Sequence, residues 1–246
     1  MKETVVVRRR HNPEAAVRLV CLPFCGGGAA SHLQWDGVVP PDVELAVICY
    51  PGREGRFAED YATHWSELID DTVDAVLSAS DMPYLLFGHS MGGWIAFDVA
   101  ARIESLDARP PAGVVVSSVN APSRGLTERD MYPNQRDTDD ELIGWISRHG
   151  QAADHVLSDP DLRELAVELM RADLTVRDTF FHTPGTRIRA PLQLLTGEHD
   201  DVVVPEVGEQ WGELTTGAYR HDRLPGEHFF TPEVWRNLPR YIGLWP

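Results

Sequence analysis

The stretch from Tyr84 to Ala96 constrains this chain more than any other. A short apolar run of β type, Tyr84-Leu85-Leu86-Phe87, meets Gly88-His89-Ser90-Met91-Gly92, and a helical pattern begins at once. Strand, sharp turn and helix around Gly-x-Ser-x-Gly leave few folds open. The spacing reflects crowding. Ser90 must sit on a strained turn with its hydroxyl projecting, and a side chain at position 88 or 92 would collide with neighbouring backbone. The following helix directs its first N–H groups and the positive end of its dipole toward charge developing near Ser90. A serine hydroxyl held there is a nucleophile that needs a base.

The rest of the chain supplies a sheet for this turn. Val5 to Arg8 is expected as a short antiparallel edge strand. Val17-Arg18-Leu19-Val20-Cys21-Leu22 and Leu45-Ala46-Val47-Ile48-Cys49 read as buried strands, the first followed by Pro23-Phe24-Cys25-Gly26-Gly27-Gly28. From Tyr61, apolar residues recur at Trp65, Leu68, Ile69, Val73, Val76 and Leu77, the spacing of one helix face. Gly113 to Ser117 is the next strand. Strands alternating with helices predict an α/β fold, a mostly parallel sheet with helices on both faces. The 246 residues suffice for one domain, 1–246.

From about 120 to 185 the alternation stops and helix signals take over, predicting a helical lid inserted at the end of the sheet where chemistry occurs. Thr138 to Glu141 forms a capping box leading to Leu142, Ile143 and Ile146, with Gly150 as the stop. Asp159-Pro160 opens a second helix through Leu162, Leu165, Ala166, Leu169 and Met170. Leu174, Val176, Phe180 and Phe181 suggest a third. Strands return at Pro191 to Thr196 and Tyr219 to Leu224, and a helix from Pro232 to Ile242 closes the chain.

Serine needs a histidine to take its proton and a carboxylate to hold that histidine, in the chain order Ser, Asp or Glu, His for sheets of this kind. Two loops at carboxyl ends of strands qualify: Gly197-Glu198-His199-Asp200-Asp201 and Pro225-Gly226-Glu227-His228-Phe229-Phe230. Asp200 and His228 are the expected partners of Ser90. Asp201 and Glu198 are rivals for the acid, and His199 and His89 are less suited as base. A tetrahedral oxyanion needs N–H donors. Met91, directly after the nucleophile, should supply one. Phe24 should supply the other, with Cys25 as runner-up, because Gly26-Gly27-Gly28 lets backbone approach a substrate. Cys25 itself reads better as a small buried thiol than as a second nucleophile.

Composition narrows the remaining classes. A net charge of −16 argues against nucleic acid and against an anionic membrane surface. The first ten residues lack an apolar core for a signal peptide, and no run is long enough to span a bilayer. Three cysteines without a paired framework fit reduced thiols in a cytoplasmic protein. No metal-ligand spacing, dinucleotide glycine pattern or phosphate loop occurs, so neither metal nor cofactor is expected.

Several motifs in order now carry a resemblance: Leu22-Pro23-Phe24-Cys25-Gly26-Gly27 with Trp35; Tyr50-Pro51-Gly52-Arg53-Glu54 with Arg56; Gly88-His89-Ser90-Met91-Gly92-Gly93; and Gly226-Glu227-His228-Phe229-Phe230. Asp159 to Arg163 and Arg171-Ala172-Asp173 also fit. The chain resembles the type II thioesterases, free-standing α/β-hydrolases that accompany polyketide and nonribosomal peptide synthases. Cys25 stands where that family usually has alanine, and Asp201 follows Asp200 where proline is usual. The resemblance implies hydrolysis of acyl thioesters on the phosphopantetheine arm of an acyl or peptidyl carrier protein, clearing aberrant or stalled groups, by a monomer. Rival readings are a small-molecule serine esterase or lipase of the same fold, a releasing thioesterase that cyclises its product, and a non-catalytic binding module on a hydrolase scaffold.

Overall fold

The computed structural model describes residues 5–106, 108–126, 138–149 and 157–245. Its strands are β1 (Val6–Val7), β2 (Val17–Leu22), β3 (Val43–Ile48), β4 (Tyr84–His89), β5 (Gly113–Ser117), β6 (Leu192–Gly197) and β7 (Tyr219–Leu224). They form one sheet in the order β1-β3-β2-β4-β5-β6-β7. β1 runs antiparallel to β3, with Val6 opposite Ile48, and every other pairing is parallel.

Side-chain alternation sorts this sheet into two cores. Leu19 and Cys21 of β2, Leu85 and Phe87 of β4 and Val115 of β5 face one side, with Trp35 just after the short helix α1 (Ala30–Leu33), Val234 and Leu238. Val20 and Leu22, Tyr84 and Leu86, Val114 and Val116 face the other. There α2 (Trp65–Ser78) and α3 (Met91–Ser105) cover them. Both faces are therefore dry, which is why the parallel strands read as continuous apolar runs. Each fully buried Val, Leu or Ile contributes roughly 1.5–3 kcal/mol through area removed from water.

The ends of elements depart from the sequence reading for local reasons. β3 begins at Val43, two residues before the apolar run, because Glu44 is buried against an equally buried Arg18 on β2. Arg18 Nε and Nη2 reach Glu44 Oε1 at 2.7 and 2.6 Å. α2 begins at Trp65 rather than near Tyr61, since the His64 side chain accepts the Ser66 N–H and caps it there. At the C-terminus the expected helix divides into α7 (Pro232–Arg236) and a 3₁₀ turn, Leu238–Tyr241. Pro239 has no N–H to continue an α-helical ladder.

The segment between β5 and β6 is helical where it is described. A 3₁₀ turn (Pro122–Arg124) follows β5; α4 (Asp139–Arg148) carries the Thr138–Glu141 capping box; α5 (Pro160–Asp178) starts at the Asp159 cap. The third helix suggested around Leu174 is not separate, because no breaker lies between Met170 and Leu174 and α5 runs through both. Phe180 and Phe181 follow its end. The predicted stop at Gly150, and residues 127–137 and 150–156 of the predicted lid, lie outside the described residues. α6 (Val207–Gly212) packs beside β6 and β7.

Candidate active site

The nucleophile's backbone is the first constraint. Ser90 has φ 52° and ψ −126°, a conformation that costs a non-glycine residue roughly 1–3 kcal/mol. A Cβ on Gly88 would lie 1.8 Å from the Gly92 carbonyl oxygen, and one on Gly92 2.3 Å from that of Leu22. Neighbouring backbone thus fills the space, as crowding requires. The Ser90 N–H donates to the Ser117 carbonyl at 2.8 Å, and the Gly93 N–H to the Ser90 carbonyl at 2.8 Å, which holds the turn. The chain reverses its direction across the sheet here: β3 lies on one side of β2 and β4 on the other. Crevices at the carboxyl ends of such strands are where α/β sheets bind ligands.

Loops after β6 and β7 bring in the other two groups. His228 is 3% exposed, its Nε2 3.2 Å from Ser90 Oγ and its Nδ1 3.2 and 3.3 Å from the two Asp200 oxygens. The Val202 N–H donates to Asp200 Oδ1 at 2.9 Å. Burial pushes the Asp200 carboxyl up, but the His228 hydrogen bond and charge, helped by Val202, outweigh it and leave the pKa lowered. Asp200 therefore stands ready as an anion beside the imidazole. Glu198, His199 and Asp201 of the same loop are exposed.

His89 and Cys25 have other environments. His89 lies beneath the site, its Nδ1 3.0 Å from Ser117 Oγ and its ring 5.1 Å from that of His228. Burial and then the His228 charge push its pKa well below the ordinary value, so it stays neutral. Cys25 lines the cavity next to Ser90, but burial, reinforced by the Asp173 carboxylate, pushes its thiol far up. A thiol so held is protonated at neutral pH and a poor nucleophile.

Met91 opens α3 and lines the same cavity as Ser90. Being first in its helix, it has an N–H with no intrahelical acceptor. Phe24 heads a turn closed by the Gly27 N–H on its carbonyl at 2.8 Å. That turn is clamped from two sides. The Gly26 N–H donates to Asp173 Oδ2 on α5 at 2.7 Å, and Arg53 Nη1 donates to the Gly27 carbonyl at 2.9 Å. Arg53 and Asp173 themselves form a buried bidentate pair at 2.6 and 2.9 Å. Sequence reasoning noted both residues as parts of motifs but did not pair them, since they stand 120 positions apart. It also missed His149, at the end of α4, whose ring lies 5.8 Å from that of His228.

One concavity meets the reactive groups, and a second lies beside the His228 loop. A cavity of about 70 Å³ beside Ser90 and His228 is walled by Met91, Trp94, Val119, Met170 and Leu174, with Arg177 among its lining. A more open groove of about 310 Å³ runs past Phe24, Gln34, His149, Phe229, Trp235 and Arg236. Among the described residues no group of three or more His, Cys, Asp or Glu could hold a metal ion, and no helix is long and apolar enough to cross a membrane.

The sheet order, the helices on both faces and the serine turn after β4 define an α/β-hydrolase. The thioesterase domain family matches residues 17–242, and the chain belongs to that family. It is similar to a probable cadicidin biosynthesis thioesterase of Streptomyces griseus, 35% identical over 91% of this chain and 61% of that protein. It is 32% identical to the AMB antimetabolite synthetase AmbE of Pseudomonas aeruginosa, over 90% of this chain but 10% of that one. The chain therefore spans less than two thirds of the length of either relative. Among solved structures, the type II thioesterase BorB from the borrelidin biosynthetic cluster superposes with a TM-score of 0.85, 29% identity, and 97% of this chain against 96% of BorB.

Proposed function

We propose that this chain is a serine thioesterase that hydrolyses acyl groups from the phosphopantetheine arm of acyl or peptidyl carrier proteins, clearing stalled or aberrant intermediates of polyketide or nonribosomal peptide synthesis. The observation that carries the reading is one imidazole bridging Ser90 and Asp200 at 3.2 Å on each side. Ser90 Oγ attacks the thioester carbonyl carbon while His228 Nε2 takes the hydroxyl proton. The carbonyl oxygen becomes an oxyanion that accepts from the Met91 and Phe24 N–H groups, each such donor being worth on the order of 10²–10³ in rate. As the tetrahedral intermediate collapses, the C–S bond breaks and His228 returns its proton to the leaving sulfur. Water, deprotonated by His228, then attacks the acyl-serine, releasing the acid and restoring Ser90. Asp200 keeps a proton on Nδ1 throughout and steadies the transient imidazolium.

Partner and substrate class are supported by the names of the three proteins above: a cadicidin biosynthesis thioesterase, an antimetabolite synthetase and a type II thioesterase from the borrelidin biosynthetic cluster. The open groove beside His149 and Trp235 offers a path for an extended arm, and the cavity behind Ser90 a place for the acyl group. We further propose one domain, 1–246, with residues 120–185 as a lid, acting as a cytoplasmic monomer without metal or cofactor of its own. The test compares acyl-carrier protein with a matched p-nitrophenyl ester for wild type and Ser90→Ala. Turnover of the carrier-bound thioester, lost in Ser90→Ala, supports the reading. Cleavage of the free ester alone favours the esterase alternative.

A further inference from the structure

We propose that Asn120, in the turn after β5, is a positioning residue that keeps Asp200 against His228. This rests on the reading of Ser90, His228 and Asp200 as a hydrolytic triad. Asn120 is 7% exposed and reaches across to the loop after β6. Its Nδ2 donates to the Val202 carbonyl at 3.0 Å, and its Oδ1 accepts the Val204 N–H at 2.9 Å. One carbonyl and one N–H as partners fix which end of the amide is which. Val202 donates its own N–H to Asp200 Oδ1 at 2.9 Å. A single residue, Val202, is therefore held by Asn120 and itself holds the carboxylate.

The two sides of this clamp differ in how firmly they are built. Residues 198–206 join β6 to α6 with no strand or helix of their own; Asp201 is exposed and Val202, Val203 and Val204 are half-buried. The Asn120 side is anchored. The Trp94 indole N–H on α3 donates to the Asn120 carbonyl at 2.7 Å, and that of Trp211 on α6 to the Val119 carbonyl at 2.8 Å. Just before them Ser118 turns the chain at φ 47°, its N–H on the Leu195 carbonyl at 2.8 Å. The amide thus projects from fixed backbone onto a loop that lacks a ladder of its own. Loss of the clamp frees the carboxylate to turn from the imidazole, whose tautomer and direction it sets.

The experiment is a double-mutant cycle. Wild type, Asn120→Leu, Asp200→Asn and the double variant are compared in kcat on an acyl-carrier thioester and a p-nitrophenyl ester, each checked by thermal melting. Leucine keeps the branched shape and removes both hydrogen bonds. In Asn120→Leu kcat should fall by about tenfold or more, misplacement by about 1 Å costing up to 10²-fold. In the Asp200→Asn background the same substitution should change kcat by less than about twofold, because residues that act as a unit are not additive. Asn120 also lines the cavity beside Ser90, but a loss through substrate contact or general loosening is equal in both backgrounds. Proton NMR adds a direct signature: the deshielded His228 Nδ1 proton of wild type should weaken or vanish in Asn120→Leu. Should the leucine variant not fold, Asn120→Ser, with room for water between Val202 and Val204, takes its place. A folded Asn120 variant with kcat within about twofold of wild type, an equal loss in both backgrounds, or an unchanged Nδ1 proton overturns the proposal. If wild type cleaves the ester alone, the carrier reading falls and the cycle on the ester still decides the role of Asn120; no cleavage of either substrate removes both.

Discussion

Asp173→Ala removes the acid from an ion pair that is buried on both sides, Asp173 being 2% and Arg53 6% exposed. The carboxylate accepts from Arg53 Nη2 at 2.6 Å, Arg53 Nη1 at 2.9 Å and the Gly26 N–H at 2.7 Å. Alanine leaves a guanidinium in the interior whose described acceptor is the Gly27 carbonyl. Removing one member of a buried pair costs about 3–5 kcal/mol. The orphaned Gly26 N–H overlaps with that figure, so about 4 kcal/mol is expected in all. At roughly 2–4 °C per kcal/mol for a chain of this size, the melting temperature should fall by about 8–16 °C. Urea unfolding supplies the free energy and calorimetry the temperature. A second arm fixes the cause: Arg53→Met added to Asp173→Ala removes the uncompensated charge, so the double variant should be the more stable by about 1 kcal/mol or more. The same pair clamps the turn that carries the Phe24 N–H, so kcat should drop by about tenfold or more in Asp173→Ala, misplacement by about 1 Å costing up to 10²-fold. A loss below about 1 kcal/mol, or a double variant less stable than the single, refutes the reasoning.

Three further outcomes follow from the same structure. Asp98 accepts from Trp65 Nε1 at 2.7 Å, and burial raises its pKa to about 6. The folded form then holds a proton that the unfolded chain releases near pH 4, so this term weakens the fold as pH rises from about 4 to 6. Asp98→Asn keeps the acceptor without the charge, and denaturation should show it about 1–2 kcal/mol more stable than wild type at pH 7.5 but no more stable at pH 4. Gly88→Ala places a methyl 1.8 Å from the Gly92 carbonyl oxygen and should abolish soluble folded protein, whereas Gly144→Ala on α4 meets nothing within 4 Å. The latter should gain up to about 1 kcal/mol from helix propensity, read by circular dichroism during urea unfolding.

What could be read in the sequence was what local backbone chemistry writes there. The serine turn was legible because glycine, serine and glycine stand at a fixed local spacing, even though the carbonyl that crowds Gly92 belongs to Leu22 on β2, and the strands because both faces of a parallel sheet select apolar runs. The two loops that hold Asp200 and His228 followed from strand ends. Contacts across the chain were not legible. Glu44 hid the start of β3 because its partner Arg18 lies on another strand. Arg53 and Asp173 look like solvated charges until folding buries them together. The choice between Asp200 and Asp201 is a matter of side-chain direction, which period-2 reasoning does not reach in a loop. His149 gives no periodic signal at all, standing where α4 ends.

The proposed reaction passes through an acyl group carried on Ser90. The most direct measurement is rapid quenching of the protein with an acyl-carrier thioester, followed by peptide mass spectrometry. An acyl mass on the peptide containing Ser90, formed in a burst and absent from Ser90→Ala along with product acid, is the predicted result. Hydrolysis that proceeds with no acyl mass on Ser90, or that persists in Ser90→Ala, would contradict it.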